Sequence, residues 1–440
     1  ALLHCSPVLL QRNRAPPPVN GMQREAMLAT TLESKAPTRP ALTLGLCALL
    51  QAVGGGLGWS LVPAAMPDIA KDLAFGKTSA GLVFGAASLG IAVASPFGGS
   101  AVDRFGARKT AGIAMLFGAL TCAIRALAHG TTSLAIMMLL FGLHIGFVAP
   151  ALPKALAAHV PAAKFGRANG LTVLAYTLGT AITMIVARTW LLPHVGGWRT
   201  AMVLSGAAMA VAGLTWLAFV RDGFVATQHA SIRSSFVLLK SGALRRVAAA
   251  HFLLFGGYLA LLSSLPHLLL DAGVDKLKVG GAIAAWLATA GLANFAGPWI
   301  SDRIERRRPL ILGGATIAGL ALAAVAFAPA AQKPVFLAVA AIGGGAFAPL
   351  LLTIPFELPD VGAARGGAAL GLLMMLGQVG GFLLPVVVGA TAEAAGFRAA
   401  ILGLAMIHSL ILVPAFGLVE TGRANDHAAN AWQKNAGNVA

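Results

Sequence analysis

The chain has 440 residues, 58% of them hydrophobic and only 11% charged, against roughly 25% charged in ordinary soluble domains. So few charges cannot cover so much apolar surface in water, which excludes a soluble globular protein and makes the bilayer the natural solvent. The net charge of +17 does not imply nucleic acid as a partner, because no basic stretch carries the interleaved aromatics that stack on bases; it reads as Lys and Arg gathered in cytoplasmic loops.

Residues 1–40 are rich in Pro and polar groups and carry Arg12, Arg14, Arg24, Lys35 and Arg39. They read as a disordered cytoplasmic tail. The chain starts with Ala, and Met22 or Met27 can serve as the native start, which would place residues 1–21 outside the native protein. No cleavage site of a signal peptide follows the first apolar run.

Long apolar runs then alternate with short polar breaks. A helix needs about 20 apolar residues to cross roughly 30 Å of hydrocarbon. The spans read as 41–63, 79–98, 108–128, 132–156, 165–190 and 197–220, then 244–268, 278–298, 309–329, 332–355, 365–391 and 397–419. The expected fold is therefore an all-α integral membrane protein with twelve crossings in two six-helix halves, residues 41–220 and 244–419. A linker over 221–243, with an amphipathic stretch near Ser231–Leu239, joins the halves, and a polar tail covers 420–440. Cys47 and Cys122 lie inside apolar runs and Cys5 in the first tail; none has metal-ligand spacing, so neither a metal nor a disulfide framework is expected.

Loops leading from even to odd spans carry 16 Lys and Arg, against 8 in the loops from odd to even spans. This bias places both tails in the cytoplasm. Arg125, near the outer end of span 3, is expected to snorkel to the interface.

The halves share more than a pattern. The charged hairpin Gly98-Gly99-Ser100-Ala101-Val102-Asp103-Arg104-Phe105-Gly106-Ala107-Arg108-Lys109 recurs as Gly297-Pro298-Trp299-Ile300-Ser301-Asp302-Arg303-Ile304-Glu305-Arg306-Arg307-Arg308, 199 residues later. The same shift relates Pro150 and Leu152 to Pro349 and Leu351, and Gly197-Trp198-Arg199 to Gly396-Phe397-Arg398. Three separated matches at one offset imply a duplicated unit, as transporters often are.

The first hairpin, through Gly99, Asp103, Arg104, Gly106, Arg108 and Lys109, resembles the Gly-x-x-x-Asp-Arg-x-Gly-x-Arg-Lys signature of the major facilitator superfamily. The second copy, through Gly297, Asp302 and Arg303, resembles the degenerate repeat usual there; Glu305 replaces its second glycine. The resemblance covers about residues 41–419. It implies a monomeric secondary transporter in which Asp103, and more weakly Asp302, latches the halves during alternating access. Two antiporter features are missing: the span-4 arginine would fall near Met138, and span 5 reads Leu178-Gly179-Thr180-Ala181 where a Gly-Pro motif would stand. Gly257-Tyr258 through Leu265-Pro266, followed by Asp271-Ala272-Gly273, is similar to carriers of cyanate, nitrate and other small anions.

Polar groups at mid-depth are costly and mark function. Gln51, His144, Tyr176, Tyr258 and Gln378 lie near the middle of spans 1, 4, 5, 7 and 11, which the resemblance places around a central cavity. They are the candidates for substrate binding or proton coupling; His144 titrates near neutral pH. Asn294 and His251 lie nearer the cytoplasmic ends. No Asp or Glu lies in the middle third of any span, which tilts the substrate toward an anion or a neutral molecule. The glycine runs 54–56 and 343–345 permit close packing or bending. The expectation is a multi-pass carrier of a small solute in a bacterial inner membrane, able to use protons and needing no cofactor. Export of hydrophobic compounds is the alternative within that class. No zinc-protease, P-loop or nucleophile-elbow motif supports an enzyme, and a sensor or assembly protein on the same fold is the remaining alternative.

Overall fold

A computed structural model describes residues 40–222 and 236–421. The readings of residues 1–39, 223–235 and 422–440 fall outside the described residues. Ten helical stretches are long and apolar enough to cross a membrane. Two of them, Lys77–Leu127 and Arg365–Phe416, span 51 and 52 residues, about twice the rest. Each bends back at one glycine, Gly106 (φ 82°) and Gly396 (φ 80°). Among the described residues these make twelve long helices, consistent with the hydropathy pattern.

In the first half, α1 runs from Pro40 to Asp72, α2 and α3 share Lys77–Ile124 about Gly106, α4 is Thr131–His159, α5 starts with Ala162–Val186 and ends at His194, and α6 is Trp198–Phe219. In the second, α7 is Gly242–Asp271, α8 is Lys276–Ile304, α9 is Arg308–Phe327, α10 is Lys333–Glu357, and α11 and α12 share Gly362–Leu410 about Gly396.

The duplication is written into the backbone. Seven described residues have positive φ, and six form pairs 199 positions apart: Ala74 (53°) with Gly273 (78°), Gly106 (82°) with Glu305 (55°), and Gly197 (113°) with Gly396 (80°). Only glycine adopts such angles without a Cβ penalty. Ala74 and Glu305 keep the left-handed turn although the glycine is gone, so the topology of the repeat, not the residue, dictates the corner.

Helices within a half approach through glycine. A Cβ on Gly98 would lie 2.2 Å from the Gly146 carbonyl oxygen, and one on its mate Gly297 would lie 1.7 Å from that of Ala346. Gly99 faces open space, so of the adjacent pair it is Gly98 that allows α2 to meet α4.

Three expectations need correction. The charged stretch from Gly98 is not a hairpin loop: α2 stays helical to Phe105 and turns only at Gly106. α1 and α2 also extend beyond their apolar runs, to Asp72 and from Lys77, because a helix satisfies its own backbone wherever its polar ends lie. Arg125 does not snorkel. It is 0% exposed, with Nη1 donating to the Gly58 carbonyl at 2.9 Å and its guanidinium 3.8 Å from the Phe141 ring centre. Gln51–Trp59 is a π-helical segment, in which the N–H five residues on returns to each carbonyl. Gly58 lies in its last turn, and Arg125 is a further donor to the Gly58 carbonyl.

Candidate functional site

Three of the five mid-depth candidates converge where the halves meet. Gln51 opens the π-segment of α1. One turn on, a Cβ on Gly55 would strike the Tyr176 ring at 2.5 Å and would lie 3.7 Å from Gln51 Oε1. The glycine therefore makes room for Tyr176 of α5 beside Gln51. The Tyr176 hydroxyl interacts with Thr180 one turn away and with the Tyr258 hydroxyl of α7, in the other half. Ser60 donates to Thr180 at 3.2 Å, tying α1 to α5 behind the pair. Tyr258 stacks on Trp286 of α8 with ring centres 5.4 Å apart, and Phe255 and His251 continue this aromatic row along α7.

Gln378 of α11 follows Gly377, which packs against His251 of α7. A Cβ on Gly377 would meet His251 Nε2 at 2.7 Å. Both ring nitrogens of His251 and Oε1 of Gln378 are buried without a hydrogen-bond partner, which is costly and leaves capacity for a ligand. His144 is elsewhere. It is 2% exposed, its Nδ1 meets the Phe141 carbonyl, its ring packs on Phe141, and Gly118 of α3 and Gly54 of α1 press against it. It joins helices inside the first half and is not part of the convergence.

The two ends of the interface differ. At the end bearing the turns at 74 and 273, the halves are pinned. Lys77 pairs with Asp271, and Glu393 accepts from Thr78 N at 2.9 Å and from Thr78 Oγ1 at 2.7 Å. Backbones touch there as well: a Cβ on Gly81 would lie 2.2 Å from the Pro385 carbonyl oxygen, and one on Gly280 would lie 2.8 Å from that of Met184. Toward the opposite end the same helices carry Gly99, Gly166, Gly170, Gly367 and Gly371, where a Cβ would meet nothing within 4 Å. The halves thus close at the face that bears the turns at 74 and 273.

Each charged turn is held within its own half. Asp103 pairs with Lys154 of α4. Asp222 accepts from the Arg108 N–H at 2.8 Å, at the start of α3, and the Arg108 Nε donates to the Leu217 carbonyl at 2.7 Å. The second half repeats the device: Glu420 accepts from the Arg307 and Arg308 N–H groups at 2.6 and 3.2 Å, at the start of α9, where a carboxylate complements the helix dipole. Arg307 also reaches Asp302 at 2.6 Å and Glu357 at 3.1 Å; against its partial burial, these carboxylates raise the guanidinium above its ordinary range. Arg104 lies 5.2 Å from the centre of the Phe105 ring, Arg303 lies 3.8 Å from that of Trp299, and Lys109 is exposed.

Sequence reasoning singled out neither Trp286 nor the Lys77–Asp271 pair. The first looks like any apolar residue of a span, and the second joins helix ends 194 positions apart. Among the described residues no group of three or more His, Cys, Asp or Glu could hold a metal ion.

A sequence profile of the Major Facilitator Superfamily matches residues 48–366. The nitrite extrusion protein of Bacillus subtilis is 24% identical over 357 residues, which cover 79% of this chain and 86% of that protein. The probable nitrate/nitrite transporter NarK2 of Mycobacterium tuberculosis is 26% identical over 355 residues, covering 76% and 85%. Among solved structures, a bacterial homologue of the human lysosomal transporter Spinster, in an inward-facing and occupied conformation, superposes with a TM-score of 0.74 at 16% identity, covering 87% of this chain and 97% of that one.

Proposed function

The chain belongs to the Major Facilitator Superfamily, a multi-pass membrane transporter rather than an enzyme, and we propose that it moves a small anion by alternating access about the Tyr176–Tyr258 contact. The observation that carries this reading is that contact itself: two hydroxyl groups, one from each half, interact beside Gln51, where a bound solute would touch both halves. The site is lined by neutral donors, and the described carboxylates sit in the terminal turns of helices or in the connections. Hydroxyl and amide N–H groups can replace the hydration of an anion, whereas a cation would find no compensating charge. The names of the nitrite and nitrate/nitrite relatives agree with this preference.

The loop charge bias supports a cytoplasmic position for the charged turns and both termini, in a bacterial inner membrane. In that orientation the pinned face lies outward, and Asp103 and Asp302 serve the state in which their own face closes. His251 and Gln378 deepen the site toward that face. The carrier acts as a monomer and is able to couple to protons.

The test is exchange of labelled nitrite and nitrate in proteoliposomes. Either anion should exchange, and Tyr176→Phe or Tyr258→Phe should raise KM about tenfold, the scale of one hydrogen bond to a charged group. Absence of anion exchange with retained export of hydrophobic dyes would replace this reading with efflux. Unchanged KM in both variants would remove the pair from the site.

A further inference from the structure

The pinned face contains a histidine that none of the roles above uses. His267 lies one turn before Asp271 on α7, half-buried, and its Nε2 is buried without a hydrogen-bond partner. Charged groups act on it from every side: Asp271 on its own helix, Lys77 at the start of α2, Arg188 on α5 and Asp68 on α1. Arg188 and Asp68 are themselves paired at 2.8 Å, while Nε and Nη2 of Arg188 are buried without partners. Asp271 is the residue on which the cross-half bond to Lys77 depends.

We infer that His267 is a proton-binding site that unlocks this face, by competing with Lys77 for Asp271. Residues four apart on a helix are neighbours, so an imidazolium at His267 reaches the Asp271 carboxylate. Neutral His267 leaves that carboxylate to Lys77, and the halves stay pinned. A proton on His267 supplies Asp271 with a partner from its own helix and adds positive charge beside Lys77 and Arg188. Both effects release Lys77, and the Thr78–Glu393 bond remains as the only polar tie described above. Acid therefore opens the face and alkali closes it. His144, sealed inside the first half, has no such lever on the interface. The inference rests on the alternating-access reading and adds a site of control to it.

The experiment reads the gate directly and needs no substrate. Spin labels go on Lys71→Cys and Ala394→Cys, two exposed positions on opposite halves at this face, in full-length protein with Cys5, Cys47 and Cys122 replaced by alanine. Distance distributions are measured in lipid nanodiscs at pH 8 and pH 4. The long-distance population of the parent should rise about three- to fivefold at the lower pH, the scale of one partly exposed ion pair. His267→Gln should abolish the response, and Asp271→Asn should show the long distance at both pH values. A parent that does not respond, a His267→Gln protein that still responds, or an Asp271→Asn protein that stays closed at both pH values would each overturn the inference. Failure of nitrite and nitrate exchange alongside a normal distance response would count against the anion reading alone.

Discussion

The two halves share a frame and differ in what it carries. The left-handed corners recur at one offset, and so do the closely packed glycines Gly98 and Gly297. The buried chemistry does not recur. α1 contains the π-segment Gln51–Trp59 and α5 the π-segment Ala187–Leu191, whereas α7 and α11 remain α-helical over the equivalent residues. Arg125 and His144 of the first half correspond to Ala324 and Gly343 of the second. Turns and packing glycines are constrained by geometry that both halves must satisfy. π-segments cost regular hydrogen bonding and concentrate at functional sites, and here one of them brings Gln51 to the tyrosine pair. The first half therefore carries the irregular side of the interface, and the second supplies a regular aromatic wall of Phe255, Tyr258 and Trp286.

The shared frame is the part whose breakage should cost most. Gly297→Leu drives a side chain into the Ala346 backbone, which cannot move without displacing α10. We expect a loss of more than about 4 kcal/mol, seen as aggregated protein in fluorescence-detected size-exclusion chromatography. Gly99→Ala, in open space next to the packing glycine of the other half, should stay within about 0.5 kcal/mol of the parent. If both variants behaved alike, the close approach would not be what holds α8 to α10.

Next in size is the feature present in one half only. Arg125→Ala removes a donor to the Gly58 carbonyl, empties the space above Phe141 and should cost about 3 kcal/mol in detergent unfolding. Arg125→Met should cost less, since it fills the volume and no longer buries a guanidinium whose Nε and Nη2 lack partners. The Ala variant should also raise KM more than Met does, because the π-segment that places Gln51 loses its support. Equal KM values in the two variants would confine Arg125 to stability.

The same contrast explains what the sequence could disclose. Twelve apolar runs and a constant offset are one-dimensional signals, so the fold class, the repeat and the charged turns were readable. Arg125 was misread because an arginine near the end of an apolar run ordinarily escapes to water; only the tertiary positions of Gly58 and Phe141 make its burial tolerable. The tyrosine pair was half readable. Mid-depth polarity flagged Tyr176 and Tyr258, but the rotation of α5 and α7 decides whether their hydroxyls meet, and the rotation of α4 turns His144 inward to α3. His267 carried no local sign at all, since its partners come from four helices.

The smallest expected effect is the cleanest probe of the repeat. Ala74 and Gly273 occupy the same corner in the two halves with φ of 53° and 78°. A Cβ on Gly273 would meet nothing within 4 Å, so Gly273→Ala changes backbone preference and nothing else. The left-handed region costs a residue with a Cβ about 1 kcal/mol, and the variant should lose about that much in detergent unfolding. Ala74→Gly relieves the same strain but frees the unfolded chain, leaving a net gain of at most about 0.5 kcal/mol. Opposite signs at mated positions would establish that the corner belongs to the repeat and that Ala74 bears it under strain. A loss at both would mean that the Ala74 methyl group makes a contact that outweighs its backbone angle.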